Sequence, residues 1–242
     1  KKLLLILLCL PMIGFGQLTM IPDANFEQAL INLGYDNNLN GSVYTASIDT
    51  VTFLDVSNVG IADLTGIENF NTLTHLHCGG NQLTNLYLSR NTTLTCLECA
   101  NNQLTSLDVS SAYALSNLHY QSNNLANIDI SQNNVLINLW CENNQLTNLD
   151  VSIHTALTTL FCYKNQLTSL DVRTNTALTD LVYSENQLIS LDVRNGNNTN
   201  MNMFITWNPN LTCISVDDDS WSTINWTNID LIITLAKTVL KQ

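Results

Sequence analysis

Residues 94–110 read LTCLECANNQLTSLDVS, and this stretch decides the fold. It contains the spacing L-x-x-L-x-C-x-x-N-x-L and then a second, shorter unit, L-x-x-L-x-V. The opening leucine recurs every 21 residues, at Leu73, Leu94, Leu115, Leu136, Leu157 and Leu178. An Asn follows each opening by eight residues, at Asn81, Asn102, Asn123, Asn144, Asn165 and Asn186. A fixed period of this length is typical of a solenoid built from stacked coils.

Each repeat consists of two related units of 10 and 11 residues. The last two apolar positions of each unit lie two residues apart, which is the side-chain period of a β-strand. We therefore predict two short strands per coil, one on each side, with the intervening residue facing outward. No ten-residue amphipathic stretch remains inside the repeat, so a helix on the second side is not expected. The expected fold class is a β-rich solenoid of roughly eight coils.

This pattern resembles the leucine-rich repeat family, whose signature is L-x-x-L-x-L-x-x-N-x-L. Residues 51–216 are most similar to a bacterial subclass with nested 21-residue repeats and Cys at the sixth position, familiar from secreted Bacteroidetes-type proteins. The resemblance implies a right-handed coil of parallel strands and a recognition role. It implies no particular ligand.

Residues 1–16 are typical of a secretory signal peptide, because two lysines precede a short apolar run that ends in small residues. The run is shorter than the roughly 20 apolar residues of a membrane span. We therefore expect a secreted or cell-surface protein with no membrane insertion after signal cleavage. Residues 217–242 form a Trp-bearing tail, which continues further in the resembled proteins, so we expect a truncated C-terminus.

Residues 17–50 are predicted to form an N-terminal cap. A helix is expected from Asp23 to Leu33, ended by Gly34. Its apolar residues, which include Phe26, Leu30 and Leu33, should close the open end of the solenoid core. Asp36, Asn38 and Asn40 follow the spacing of a calcium loop, although Ser47 stands where the bidentate Glu belongs, so calcium binding here is left open.

Composition excludes several functions. The formal net charge is −12, which disfavours nucleic acid because its phosphates would be repelled. The sequence contains no Gly-rich phosphate loop, no G-x-S-x-G and no H-E-x-x-H. All four histidines fall inside the repeats. We therefore predict that the protein is not an enzyme and uses no cofactor.

The sixth-position column should face inward, and it consists of Cys78, Cys99, Tyr120, Cys141, Cys162 and Tyr183. We interpret its cysteines as small buried hydrophobes. Disulfides from Cys78 to Cys99 and from Cys141 to Cys162 are the alternative, since a secreted chain permits them. Cys96 is expected to face outward and Cys99 inward, so the two should not bind one metal ion.

Two outward columns differ in character. The second-strand column repeats Asp, at Asp108, Asp129, Asp150, Asp171 and Asp192. We interpret it as a solvated acidic row partly relieved by Arg173 and Arg194, with weak divalent-cation binding as the alternative.

The first-strand column varies although its frame is constant, and with the nearby Tyr163 it gives the candidate ligand-binding residues His77, Glu98, His119, Trp140, Phe161, Tyr163 and Val182. Large apolar side chains at outward positions mark interaction surfaces. The alternatives are that these rings only cover neighbouring coils or lie under a cap or tail. A His77/Glu98/His119 metal or catalytic cluster is also conceivable from the spacing, but no metal site is predicted.

The leading hypothesis is a secreted or surface recognition or adhesion module that binds an extracellular protein or a glycan through the first-strand column. The alternative is a passive acidic spacer with weak calcium-dependent surface contacts. The sequence leaves the ligand and the oligomeric state open.

Overall fold

The computed structural model describes residues 16–204, 207–227 and 233–236. The signal-peptide prediction therefore lies outside the described residues, apart from Gly16, as does most of the C-terminal end. No helix in the described ranges is both long enough and apolar enough to cross a membrane.

The N-terminal cap consists of a small antiparallel sheet and two helices: β1 (Leu18–Met20), α1 (Ala24–Asn32), β2 (Ser42–Tyr44) and α2 (Thr45–Ile48). The predicted helix is confirmed. Asp23 caps it by accepting the amides of Asn25 and Phe26 through Oδ1, and its Oδ2 accepts the amides of Ala62 and Asp63 in the first coil. One carboxylate thus both starts the helix and ties the cap to the solenoid.

The apolar face of α1 closes the core as predicted, with one exception. Phe26 and Leu30 are fully buried, and Phe26 stacks on Phe70 with ring centroids 6.4 Å apart. The prediction for Leu33 was wrong, since it is 46% exposed. It is the C-cap residue of α1, where the chain leaves the helix, so it no longer follows the buried face.

The first-strand units form one parallel sheet of eight strands, which we call the first sheet. Its strands are β3 (Phe53–Asp55), β4 (His75–His77), β5 (Cys96–Glu98), β6 (Asn117–His119), β7 (Asn138–Trp140), β8 (Thr159–Phe161), β10 (Asp180–Val182) and β12 (Asn202–Phe204). Adjacent strands pair in step with the repeat, so Leu97 lies opposite Leu118 and Leu118 opposite Leu139. The predicted parallel-strand solenoid of about eight coils is confirmed.

The second-strand units behave as predicted only toward the C-terminus. There they form a four-stranded sheet of β9 (Ser169–Asp171), β11 (Ser190–Asp192), β13 (Cys213–Ser215) and β14 (Thr234–Ala236). In the earlier coils the same side chains point inward, as Leu107 and Val109 do. No backbone hydrogen bond joins residues 107–109 to residues 128–130, all of which are described. A ladder needs strands about 4.8 Å apart, and these segments do not reach that geometry.

The Asn of each repeat forms a buried ladder at the corner after the first strand. Asn123 is typical: its Oδ1 accepts the Leu104 amide at 2.9 Å, and its Nδ2 donates to the carbonyls of Cys99 and Tyr120 at 3.0 and 2.9 Å. The preceding residue is in the left-handed region in each of the six 21-residue repeats, with φ between 53° at Lys164 and 66° at Gly80. The corner is therefore set by hydrogen bonding as well as by packing.

The C-terminal tail packs onto the last coils. Helix α3 (Asp219–Asn225) begins at Asp218, whose side chain accepts the Trp221 amide. Trp226 is buried and meets Trp221 edge to face at 6.4 Å. Strand β14 then pairs with β13. The described part of the tail thus covers the C-terminal end of the apolar core. The pairing of β14 with β13 was not suggested by the sequence.

Candidate functional site

The variable first-strand column forms a continuous row on the outer face of the first sheet. Parallel pairing places its members directly opposite one another, in the order His77, Glu98, His119, Trp140, Phe161 and Val182. We call this row the first-sheet stripe. All six side chains are partly exposed, as is Tyr163, which lies just beyond β8. The structure therefore brings the predicted residues together, while their role in binding stays a prediction.

The rings of the stripe pack against one another. Trp140 lies between His119, at 4.3 Å and 15°, and Phe161, at 5.4 Å and 22°. Its indole Nε1 is buried and has no hydrogen-bond partner within the described part of the chain. The rings therefore do pack over neighbouring coils, which was the alternative left open by the sequence. Every ring nevertheless retains some exposed surface.

Phe53 extends the stripe at the N-terminal side and was missed by the sequence analysis. Its ring is half exposed and meets the edge of His77 at 5.0 Å. It occupies the first outward position of β3, paired with His75. The first coil departs from the 21-residue spacing, so no register was available to place this ring.

Glu98 connects the two histidines. Its Oε1 lies 3.7 Å from His77 Nε2 and 3.5 Å from His119 Nδ1. Burial lowers the pKa of His119, and the Glu98 carboxylate acts in the opposite direction. The His/Glu/His cluster that the sequence left open is therefore formed, with its carboxylate centred between two imidazoles.

Cys96 is the main correction at this site. Its side chain was expected to be exposed, but only 8% of the residue is accessible. It is on the outer face, between His75 and Asn117 of the neighbouring strands, and these longer side chains flank a small thiol. Burial and then the Glu98 carboxylate raise the pKa of the Cys96 thiol.

The expected separation of Cys96 from Cys99 agrees with the structure, since Cys99 is in the core. Cys96 instead approaches His77 and Glu98, and the donor atoms of these three residues all lie within 4.8 Å of one another.

A shallow depression of about 330 Å³ adjoins the stripe and is bordered by Glu98, His119 and Trp140. Gly79 and Gly80 also line it, and a Cβ at Gly79 would lie 3.2 Å from the Ala100 carbonyl oxygen. Three buried polar atoms at this depression have no partner among the described residues: His119 Nε2, Gln121 Oε1 and Trp140 Nε1. Such atoms are costly to leave unsatisfied, and their burial shields all three from the open depression.

The inward cysteines are buried free thiols. Cys78, Cys99, Cys141 and Cys162 have no accessible surface, and each is unbridged. Burial raises the pKa of all four, to about 12 for Cys99. They therefore pack as small hydrophobes, in agreement with the first interpretation.

The Asp column is locally hydrogen-bonded. Asp108, Asp129 and Asp150 each accept the backbone amide of the Ser two residues later at 2.9 Å. Asp171 and Asp192 are paired with Arg173 and Arg194, as predicted. These hydrogen bonds lower the pKa of the Asp carboxyls and satisfy part of their acceptor capacity.

The candidate calcium loop is organised around a carboxylate from outside it. Oε1 of the buried Glu27 accepts the amides of Asn40, Gly41 and Ser42 at 2.8, 2.6 and 3.0 Å. Asn38 bonds to Asn37 and Asn40. The loop amides thus surround an anion, which gives the segment a structural role that the spacing alone did not indicate.

Comparison with known proteins supports the fold. No protein-family model matches the chain. Internalin J of Listeria monocytogenes is 42% identical over 71 residues, which are 29% of this chain and 8% of that protein. The solved functional domain of internalin J, described as including a cysteine ladder, has a TM-score of 0.63 and 31% identity. The match covers 83% of this chain but 52% of that domain, so the chain spans about half of its length.

Two further structures show the fold alone. Internalin C2 of Listeria monocytogenes gives a TM-score of 0.64 at 24% identity, over 90% of this chain and 95% of that one. A leucine-rich repeat protein of Leptospira interrogans gives 0.62 at 22% identity, over 81% and 58%. Together with the stacked parallel strands and the Asn ladder, these similarities establish that the chain has the leucine-rich repeat solenoid fold of the Listeria internalins.

Proposed function

We propose that this protein is a secreted or cell-surface recognition module, and not an enzyme, that binds an extracellular protein through the first-sheet stripe. The observation that carries the proposal is the contrast between frame and stripe. The leucines of the L-x-x-L unit and the Asn ladder repeat in every 21-residue repeat, whereas the stripe runs from His through Glu to Trp and Phe. Stacking makes the same local demand in each coil, so an external ligand is the simplest reason for the difference.

A protein partner fits the stripe better than a glycan does. Sugars stack on the open face of an aromatic ring, but His119 and Phe161 cover the two faces of Trp140. The rings therefore present mainly their edges to solvent. Together with the neighbouring charged side chain of Glu98, these edges form a partly apolar and partly charged surface. Half-buried Trp and Tyr anchors beside polar groups are typical of protein interfaces. Glu98 and Tyr163 supply such polar groups at the stripe.

We also propose that the protein is secreted or attached to a bacterial cell surface, and that it belongs to the Bacteroidetes-type repeat subclass. The leader-like residues 1–16 support secretion, and the similarity to internalin J supports a bacterial surface setting. The nested 21-residue repeats with Cys at the sixth position support the Bacteroidetes-type subclass that the sequence resembles.

The proposal is tested by binding with matched surface variants. The chain is screened by surface plasmon resonance against a panel of extracellular proteins and, in parallel, on a glycan array. For the protein hit, we expect Trp140→Ala and Phe161→Ala each to weaken binding about 30-fold, the effect of a ~2 kcal/mol hot spot. Tyr87→Ala and Ile189→Ala serve as controls, since both are exposed apolar residues outside the stripe.

Folding must be checked because Trp140 is stacked on both sides. Each ring pair contributes roughly 0.5–1.5 kcal/mol, so Trp140→Ala is expected to lower stability by about 1–3 kcal/mol without unfolding the chain. Unchanged affinity in both stripe variants, with loss in Tyr87→Ala, would move the binding face elsewhere. A hit confined to the glycan array would refute the choice of partner class.

The passive acidic spacer is the weaker alternative. Its calcium contacts would use the Asp column, whose carboxylates already accept local hydrogen bonds or pair with Arg. Asp129→Asn therefore makes a second control in the binding assay, expected to leave affinity for the protein hit unchanged.

A further inference from the structure

We infer that the outer face of β4, β5 and β6 binds a divalent transition-metal ion, with zinc as the best-suited ion, through His77, Cys96, Glu98 and His119. The donor atoms of His77, Cys96 and Glu98 all lie within 4.8 Å of one another. His119 Nδ1 adds a fourth donor, 3.5 Å from Glu98 Oε1. Two imidazoles, a thiol and a carboxylate are ligand types that zinc takes in proteins.

Two of the donor distances already suit a four-coordinate site. Zinc bonds of about 2.0–2.3 Å in tetrahedral geometry place neighbouring donor atoms roughly 3.3–3.8 Å apart. The His77–Glu98 and Glu98–His119 separations, 3.7 and 3.5 Å, are already in this range. The Cys96 sulfur and the His119 ring must both move closer to the other donors, since His119 lies outside the group of three whose donor atoms are all within 4.8 Å of one another.

The four residues are held by three adjacent strands and not by loops. Parallel pairing sets His77 and His119 on either side of Glu98, and Cys96 precedes Glu98 by two residues on the same face of β5. Sites on paired strands keep their geometry better than sites on loops. The 21-residue spacing indicated His77, Glu98 and His119 as a conceivable cluster, but it did not add Cys96, whose thiol joins the group on the outer face of β5.

Charge and burial favour a cation at this position. A thiolate and a carboxylate together neutralise a divalent ion, while the two imidazoles bind in their neutral form. Cys96 is nine-tenths buried, which protects a thiolate ligand from solvent. The chain also has a formal net charge of −12, which attracts cations in general.

This inference does not depend on the proposed protein partner, although both use His77, Glu98 and His119. Its experiment uses metal ions alone. The tag-free chain is stripped with a chelator under reducing conditions and titrated with Zn²⁺ in competition with a chromophoric chelator. Co²⁺ then serves as a spectroscopic substitute, because cobalt reports both tetrahedral geometry and a sulfur ligand.

We expect one Zn²⁺ per chain and a sulfur-to-cobalt charge-transfer band. Cys96→Ser should abolish the band, and Cys96→Ser and His77→Gln should each weaken zinc affinity at least ten-fold. The matched controls are His75→Gln on the same strand and Cys213→Ser, a partly exposed thiol elsewhere; neither should change affinity. Circular dichroism confirms that each variant is folded.

Glu98→Gln provides a second test that keeps the side-chain shape at a partly exposed position, and it should also weaken zinc affinity at least ten-fold. Equal zinc affinity in the parent, Cys96→Ser and Glu98→Gln chains would overturn the inference. So would a cobalt complex without a sulfur band in the parent chain, or a stoichiometric site lost in His75→Gln or Cys213→Ser instead.

Discussion

Asn123→Ala tests whether the Asn ladder, as well as apolar packing, stabilises the stack of coils. The substitution removes three hydrogen bonds of 2.9–3.0 Å, to the Leu104 amide and to the carbonyls of Cys99 and Tyr120. Each bond contributes about 1 kcal/mol net, and a buried backbone group left without a partner costs about 1–3 kcal/mol. The free energy of unfolding should therefore fall by about 3–5 kcal/mol.

The matched control is the next residue. Asn124 is exposed, and its side chain is not involved in the ladder, so Asn124→Ala should change stability by less than about 0.5 kcal/mol. Asn123→Asp separates hydrogen bonding from side-chain volume. It keeps an acceptor for Leu104 but places a second acceptor against two carbonyl oxygens, so it should destabilise at least as much as Asn123→Ala.

Urea and thermal unfolding followed by far-UV circular dichroism measure the effect. A loss of 3–5 kcal/mol corresponds to a decrease in Tm of roughly 6–20 °C for a chain of this size. In a repeat protein the damage can also separate one transition into two, and an earlier first transition then carries the loss. A decrease below about 1 kcal/mol for Asn123→Ala would refute the ladder argument, because packing alone would then hold the corner.

Two further predictions concern buried titratable groups. The buried thiols of the inward column should resist alkylation until the chain unfolds, whereas Cys213 should react first and Cys96 slowly; the inward thiols are Cys78, Cys99, Cys141 and Cys162. Mass spectrometry of the alkylated chain at increasing urea concentration measures this order. A Tm that falls by many degrees on reduction would contradict the prediction, since a disulfide contributes about 2–4 kcal/mol. Burial lowers the pKa of His154 in the folded chain from 6.5, so the unfolded chain takes up this proton at a higher pH than the folded chain does. The free energy of unfolding therefore decreases as the pH falls through 6.5 toward the lower folded pKa. His154→Asn should raise the free energy of unfolding by about 1 kcal/mol at pH 7, because Asn133 and Asn175 each donate to two carbonyls at the equivalent positions of their repeats. In thermal melts, the variant should also lose less Tm than the parent chain between pH 7 and pH 5. An unchanged pH dependence of Tm would contradict the role given to His154.

The sequence predicted the columns of this fold well because a strict period transfers one coil's geometry to the next. Once Leu94, Leu97 and Cys99 are assigned inward, the positions 21 residues away follow, and all of them are buried. The same logic failed where no period exists. Leu33 at the end of α1 and Phe53 in the irregular first coil were misjudged or missed, since their orientation depends on local chain direction.

Backbone geometry was also only partly predictable. The alternation of Leu107 and Val109 correctly indicates that both point inward, but it does not report the distance to the next coil. A strand ladder needs that distance, and only the later coils achieve it. Likewise, the left-handed backbone at Lys164 and Glu185 has no local signal, because neither residue type favours it; the ladder hydrogen bonds impose it.

The repeat period identifies the residues that share a column of the candidate site, but it does not show which of their side chains contact one another. The repeat places His119 beside Glu98 on one side and beside Trp140 on the other, and nothing in the period says which contact its ring makes. In the structure it makes both: its Nδ1 approaches the carboxylate at 3.5 Å while its ring face stacks on the indole. His119 therefore joins a polar half of the stripe, which suits a metal ion, to an apolar half, which suits a protein surface. Because one ring belongs to both halves, whatever fixes its orientation at Glu98 also fixes the surface that Trp140 presents, so the two proposed ligands would act on one continuous site.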